Sequence, residues 1–235
     1  MSYRILVPFE LPGGEPVARL LIEKLAGLEV VLLGHYGLPE QTPPEAARDQ
    51  FEDDAQAELD ALAADFVEAD IDVATRLMFG RDRGKAIDQV AIEEGCDAEL
   101  APAPTAGIER ILVPLVDTEN LDRLAFFVHA LLGEGTSEVT LFHVAEGDER
   151  VAEAEGMLEE SRDAMVESGL DPGLVEFAVV ESDGHDAEIL ELARDYDAVV
   201  MDEASPDVAE RIFGTLSDRI SRETGNPVIL VRRPR

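Results

Sequence analysis

The stretch "MDEASPDVAERIFGTLSD" at 201–218 follows a short apolar run, "DAVVM" at 197–201. Many α/β proteins place a glycine-rich, phosphate-cradling loop at that point. Here two acids, Asp202 and Glu203, open the stretch, and Gly214, Thr215 and Ser217 close it. Backbone N–H groups at a helix start and the Thr215 hydroxyl can donate to an anion. The two carboxylates oppose one: at about 6 Å from a phosphate, a carboxylate costs roughly 3 kcal/mol at an effective dielectric near 20. A divalent cation that bridges acids and phosphate would reconcile the two halves, as would screening by concentrated salt.

Other reactive residue types fit duller roles. "GRDRGKA" at 80–86 concentrates Arg81, Arg83 and Lys85 before a helix. A phosphate-binding P-loop needs four residues between its glycines and Ser or Thr after the lysine; this stretch has three and Ala86, so local pairing with acids is expected, with an anion or partner contact as the alternative. His35 and His143 stand near the ends of matching strands and read as packed strand residues. The acids of "QFEDDAQAELD" spread over a solvated helix face, which predicts no metal site. Cys96, the single cysteine, sits beside Glu93, Glu94 and Asp97, which disfavour a thiolate. No nucleophile and base can be assembled from the four histidines, so no enzyme is expected.

The elements that must position these residues occur twice. "YRILVPFE" at 3–10 returns as "ERILVPLVD" at 109–117, and each is followed by a helical pattern, residues 15–27 and 120–133. Second strands at 28–37 and 137–147 precede long acidic helices near 44–68 and 148–168. Third strands, "VATRLMFG" and "VEFAVVES", lead into "GKAIDQVAIEEGCDAEL" and its counterpart "HDAEILELARDYDAVVM". The shared order β-α-β-α-β-α-β predicts an α/β fold of two tandem repeats, each a parallel sheet with right-handed crossovers and helices on both faces. Ligands of such sheets sit beyond the C-terminal strand ends.

Composition narrows the function classes. Fifty-two acids oppose nineteen bases in 235 residues, a net charge of -33, and only Lys24 and Lys85 are lysines. That excludes a nucleic-acid or anionic-membrane surface, both of which need cationic patches. Apolar residues at 46% give the chain a core to bury. At about 1 M salt the Debye length falls to roughly 3 Å, so a halophile's cytosol would tolerate such a surface. "MSYRILVPFE" reads as a strand and not a signal segment, and no apolar run is long enough to span a bilayer. A soluble, cytoplasmic protein is expected.

"RILVPLVD", "EVTLFHV", "AEILELARDYDAVVM" and above all "FGTLSDRISRETGNPVILVRR" resemble the universal stress protein family, and the likeness extends over both repeats. The resemblance implies a five-stranded parallel sheet of the adenine nucleotide alpha hydrolase-like type. In the nucleotide-binding branch it also implies a loop of form G-x2-G-x9-G-S/T after the fourth strand. Gly214 and Thr215, followed by Ser217, match that motif; Asp202 replaces its first glycine, and the loop is about one residue short. By resemblance, Pro114, Asp117 and Val144 would surround an adenosine, and Gly214, Thr215 and Ser217 would face its phosphates. Without the glycines, inward-turned N–H groups are lost at about 1.5–3 kcal/mol per charge-assisted contact. The expectation is a regulatory or interaction protein of the stress response with a degenerate site and no cofactor; the alternative is an ATP or AMP sensor using the second repeat, with or without Mg.

The first repeat has only "APAPTAGIE" between "CDAEL" and the second copy, so its phosphate loop, last helix and fifth strand are missing. Domains at 1–107 and 108–235 follow. The family's fifth strand pairs with a partner domain, and only one such strand exists here. A homodimer through residues 227–232 is therefore expected, and an unidentified protein partner is a further possibility.

Overall fold

The computed structural model describes residues 3–39, 41–103, 107–133, 135–146, 151–203 and 213–233. They fall into two compact units, Met1–Leu100 and Ala101–Arg235. The first is built from β1 (Arg4–Leu11), α1 (Arg19–Lys24), β2 (Glu29–Gly37), α2 (Pro44–Glu68), β3 (Val73–Gly80), α3 (Arg83–Glu93) and β4 (Ala98–Ala101). The second contains β5 (Arg110–Pro114), α4 (Leu121–Leu132), β6 (Glu138–Ala145), α5 (Val151–Glu167), β7 (Val175–Glu181), α6 (His185–Ala193), β8 (Ala198–Asp202), α7 (Phe213–Thr224) and β9 (Val228–Val231).

Within the first unit the strand order is β3-β2-β1-β4, and within the second β7-β6-β5-β8-β9. All the paired strands inside each unit run parallel. The same crossover pattern thus recurs, and β9 is the extra strand of the second unit. Central strands are buried on both faces, which explains their continuous apolar runs: "ILV" is fully buried in both β1 and β5.

Helix patterns follow from which face each helix buries. In α2, Ala55, Leu59, Leu62 and Phe66 recur at helical spacing and are buried, while Asp60 and Asp65 between them are exposed. Its end is a Schellman turn: Ile71 N–H bonds to Phe66 O at 3.1 Å and Asp70 N–H to Val67 O at 3.0 Å. Asp70 takes the left-handed φ of 61° that glycine usually supplies. In α5 that position is Gly169, φ 118°, where a Cβ would meet the His129 ring at 2.8 Å.

One element differs from its sequence reading. The pattern over residues 15–27 predicts a helix, but α1 covers only Arg19–Lys24, with a 3-10 turn at Leu25–Gly27. Pro16 disfavours helical geometry at Glu15, and Ala18 is extended at φ −57°, ψ 134°. The preceding loop is held elsewhere, by Glu58 of α2.

Candidate functional site

The parallel strands of the second unit deliver their C-terminal ends, Pro114 of β5 and Asp202 of β8, to one edge. β9 runs parallel to β8 with Asp202 beside Val231, so the chain leaving β9 also emerges there. Glu203 N–H bonds to Val231 O at 2.7 Å, and Arg233 follows two residues later.

Arg233 is the centre of the arrangement. Its Nη2 donates to Asp117 Oδ1 at 3.1 Å, to Asp117 Oδ2 at 3.2 Å and to Asp202 Oδ2 at 3.0 Å. Nη1 donates to Glu119 Oε2 at 2.5 Å, and Nε donates to the Glu203 carbonyl at 2.6 Å. Even its backbone N–H is used, by Glu203 Oε2 at 2.9 Å. The side chain is only 18% exposed. Burial opposes its charge, but the Glu119 hydrogen bond and the charges of Asp202 and Asp117 outweigh that, and its pKa is raised.

Each acid has further partners. Asn120 Nδ2 donates to Asp202 Oδ1 at 2.5 Å, so both Asp202 oxygens are engaged. Burial nevertheless pushes the Asp202 pKa up, against the hydrogen bond from Asn120 and the charge and hydrogen bond of Arg233, with Asp117 adding to the rise. Asp117 Oδ1 also accepts the Glu119 N–H at 2.9 Å, closing an Asx turn. Arg232 lies 3.8 Å from Glu203 Oε1. Asp202 and Glu203, expected to confront an anion unopposed, are instead bonded to the chain's own arginine.

His143 fixes the loop after β5. Its Nδ1 lies 2.7 Å from Leu115 O, and because a carbonyl only accepts, Nδ1 carries the proton. Leu115 N–H in turn bonds to Phe142 O at 2.8 Å. His143 is therefore a buried strand residue, as its position implies.

The residues expected at a nucleotide lie on several elements of the second unit. Pro114 and Asp117 lie together at the end of β5. Val144 is 2% exposed within the core cluster that includes Ile189, Met201 and Leu216. Gly214 and Thr215 belong to the first turn of α7, with Ser217 half-buried in the same helix. Residues 204–212, the rest of the expected phosphate loop, and the Thr215 side chain lie outside the described residues. Asn120, Glu119 and Arg233 were not expected from sequence. The doublet Arg232–Arg233, set just past the last strand of a chain with nineteen bases, was the available signal.

In the first unit the corresponding loop is closed by the opposite charge. Glu58 Oε1 accepts the Gly13 N–H at 2.7 Å and the Gly14 N–H at 2.9 Å. A Cβ on Gly14 would approach Leu62 Cδ1 to 2.9 Å, so a glycine suits this close approach. Among the described residues, no group of three or more His, Cys, Asp or Glu is arranged to hold a metal ion, and no helix is long and apolar enough to cross a membrane.

Among solved structures, a universal stress protein from Archaeoglobus fulgidus DSM 4304 is 16% identical, covers 99% of this chain and 97% of its own, and superposes with a TM-score of 0.66. A Pseudomonas aeruginosa UCBPP-PA14 protein named for the same family is 15% identical over 98% of this chain and 93% of its own, with a TM-score of 0.53. An Archaeoglobus fulgidus universal stress protein in complex with dAMP is 17% identical over 52% of this chain and 96% of its own, with a TM-score of 0.40. At such identities the whole-chain likenesses speak for the fold. No curated protein matches the chain in sequence. The family model described as "Universal stress protein family" matches residues 107–232, more than half of the chain, and on that match the chain belongs to the universal stress protein family.

Proposed function

We propose that this chain is a regulatory or interaction protein of the stress response, working in concentrated salt, whose second-unit ligand site has been taken over by an internal ion-pair network. On this reading it carries out no catalysis and binds no ATP tightly. The observation that carries the reading is Arg233, which bonds both oxygens of Asp117 and one of Asp202 while reaching Glu119 as well. Asp117 is the residue that the family resemblance would assign to the adenosine, and its oxygens are already used by Arg233 and by the Glu119 N–H.

The energetic argument differs from simple repulsion. Arg233 offsets much of the negative potential that Asp202 and Glu203 would present, so the main obstacle is exchange: a nucleotide would have to break charge-assisted hydrogen bonds worth about 1.5–3 kcal/mol each. It would also leave three carboxylates close together without their cation. Affinity at or weaker than about 1 mM follows, against the micromolar range of a useful sensor.

Calorimetry with ATP in molar KCl, with and without magnesium, tests this. The expected result is no saturable heat up to about millimolar ATP in either condition. Micromolar binding without magnesium would establish the nucleotide-sensor reading instead, and micromolar binding only with magnesium would mean that the acids serve a bridging cation.

A further inference from the structure

The first unit holds a second feature, independent of the ion-pair network. In β2, Val31, Leu33 and His35 point to one face; so do Leu6 of β1 and Ala74 and Met78 of β3, and α3 packs on that face through Ile87, Val90 and Ala91. His35 is the uppermost residue of this row, paired with Glu10 on one side and Met78 on the other. Only 2% exposed, it looks toward the start of α3: a Cβ on Gly80 would lie 3.7 Å from its Nε2.

Neither ring nitrogen of His35 has a hydrogen-bond partner among the described residues, and neither has the buried Nε of Arg83, the first residue of α3. Among the described residues the Arg83 side chain makes one long hydrogen bond, from Nη2 to Pro8 O at 3.4 Å. Each buried polar atom left so costs about 1–3 kcal/mol. Three of them at the C-terminal ends of parallel strands, where ligands of such sheets sit, call for a missing partner.

The charged groups around His35 define that partner's chemistry. His35 is held below its ordinary pKa, first by burial and then by the Arg83 charge, against the pull of Glu10 and Asp82. The neutral ring then offers one N–H. Arg83 adds a guanidinium, while the N-terminus of α3 is already capped by the Asp82 carboxylate. Asp82 is turned to its own helix, accepting from Lys85 N at 3.1 Å and pairing with Lys85 Nζ at 3.1 Å. A metal ion is disfavoured by the guanidinium. We propose that His35 and Arg83, beside Gly80, bind a tetrahedral oxyanion of the phosphate class through the unpartnered ring and guanidinium nitrogens.

Glu10 and Asp82 limit its strength, so a dissociation constant on the order of 1 mM is expected. The test follows the His35 ring nitrogens by NMR in the full chain while potassium phosphate replaces KCl at constant ionic strength. Saturable movement of those signals is expected, with affinity reduced roughly tenfold or more in Arg83→Met. Sulfate should compete; acetate should not. A parallel titration with ribose 5-phosphate separates a free anion from a phosphate monoester, by which of the two saturates first. His35→Leu, which removes both unpartnered nitrogens, should fold at least as stably and lose the phosphate-dependent rise in Tm. Unmoved ring signals up to about 20 mM phosphate would overturn the proposal in favour of water as the partner, as would an unchanged affinity in Arg83→Met.

Discussion

Arg233 shows how one residue changes the meaning of its neighbours. From sequence, Asp202 and Glu203 read as anion-repelling unless a divalent cation bridges them; the structure supplies a cation from the chain itself, Arg233. Parallel strands bring the residues beyond β8 and β9 to the same edge, which long sequence separation conceals. Replacing Arg233 with Met should cost about 2–4 kcal/mol in denaturant unfolding, because Asp202 would be left buried beside Asp117 and Glu119. Asp202→Asn should be close to neutral, since its amide oxygen can still accept from Arg233 and Asn120, with its amide flipped, can accept from the new NH2. Asp202 has a raised pKa in the folded state, so its contribution to stability is greatest below its unfolded pKa and is lost as pH rises through the folded one. Wild type should therefore gain stability relative to Asp202→Asn as pH falls from neutral through the carboxylate range. A wild-type and variant difference that is flat with pH, or that moves the other way, would show that Asp202 is not the strained member of the network.

At the scale of elements, much of the fold was legible, and the repeats explain why. The dipeptide Asp-Ala recurs in "CDAEL" and "YDAVVM", and the structure gives it the same task in both. Asp97 Oδ2 accepts the Arg4 N–H at 2.7 Å at the start of β1. Asp197 Oδ2 accepts the Glu109 and Arg110 N–H groups at 3.0 and 2.8 Å at the start of β5. Their own N–H groups bond back to Arg4 O and Arg110 O. Each aspartate thus sets the register between the first and fourth strands of its unit. Such a short-range motif survives in sequence because its geometry permits little else. The start of α1 was harder to read, because the apolar spacing of residues 17–25 continues through the extended backbone at Ala18. Asp197→Ala should cost about 1–2 kcal/mol and lower hydrogen-exchange protection at the beginning of β5 while leaving β7 protected. Uniform loss of protection across the second unit, or none at β5, would argue against this local role.

At the scale of the whole molecule, charge is the governing quantity. The chain carries -33, and its few arginines are partly committed to local pairs such as Arg19–Glu23, Arg48–Glu52 and Arg219–Glu223. Those exposed pairs contribute at most about 1 kcal/mol each. They cannot offset the repulsion among the unmatched acids, which is long-ranged in dilute buffer, where the Debye length is about 10 Å at 0.1 M. Molar salt shortens that length to about 3 Å and removes most of the repulsion in the compact state, while the expanded unfolded chain has less to gain. The mostly buried Arg233–Asp202 pair is only weakly screened, so salt should strengthen the surface without dissolving that contact. Raising KCl from 0.1 to 2 M should therefore lift Tm by roughly 10 °C, equivalent to a few kcal/mol for a chain of this length. An equal rise in Arg233→Met would assign the effect to the surface, as expected. A Tm that stays level or falls between 0.1 and 2 M would mean that these acids are accommodated without salt, and the inference of a salt-loving protein would fail with it.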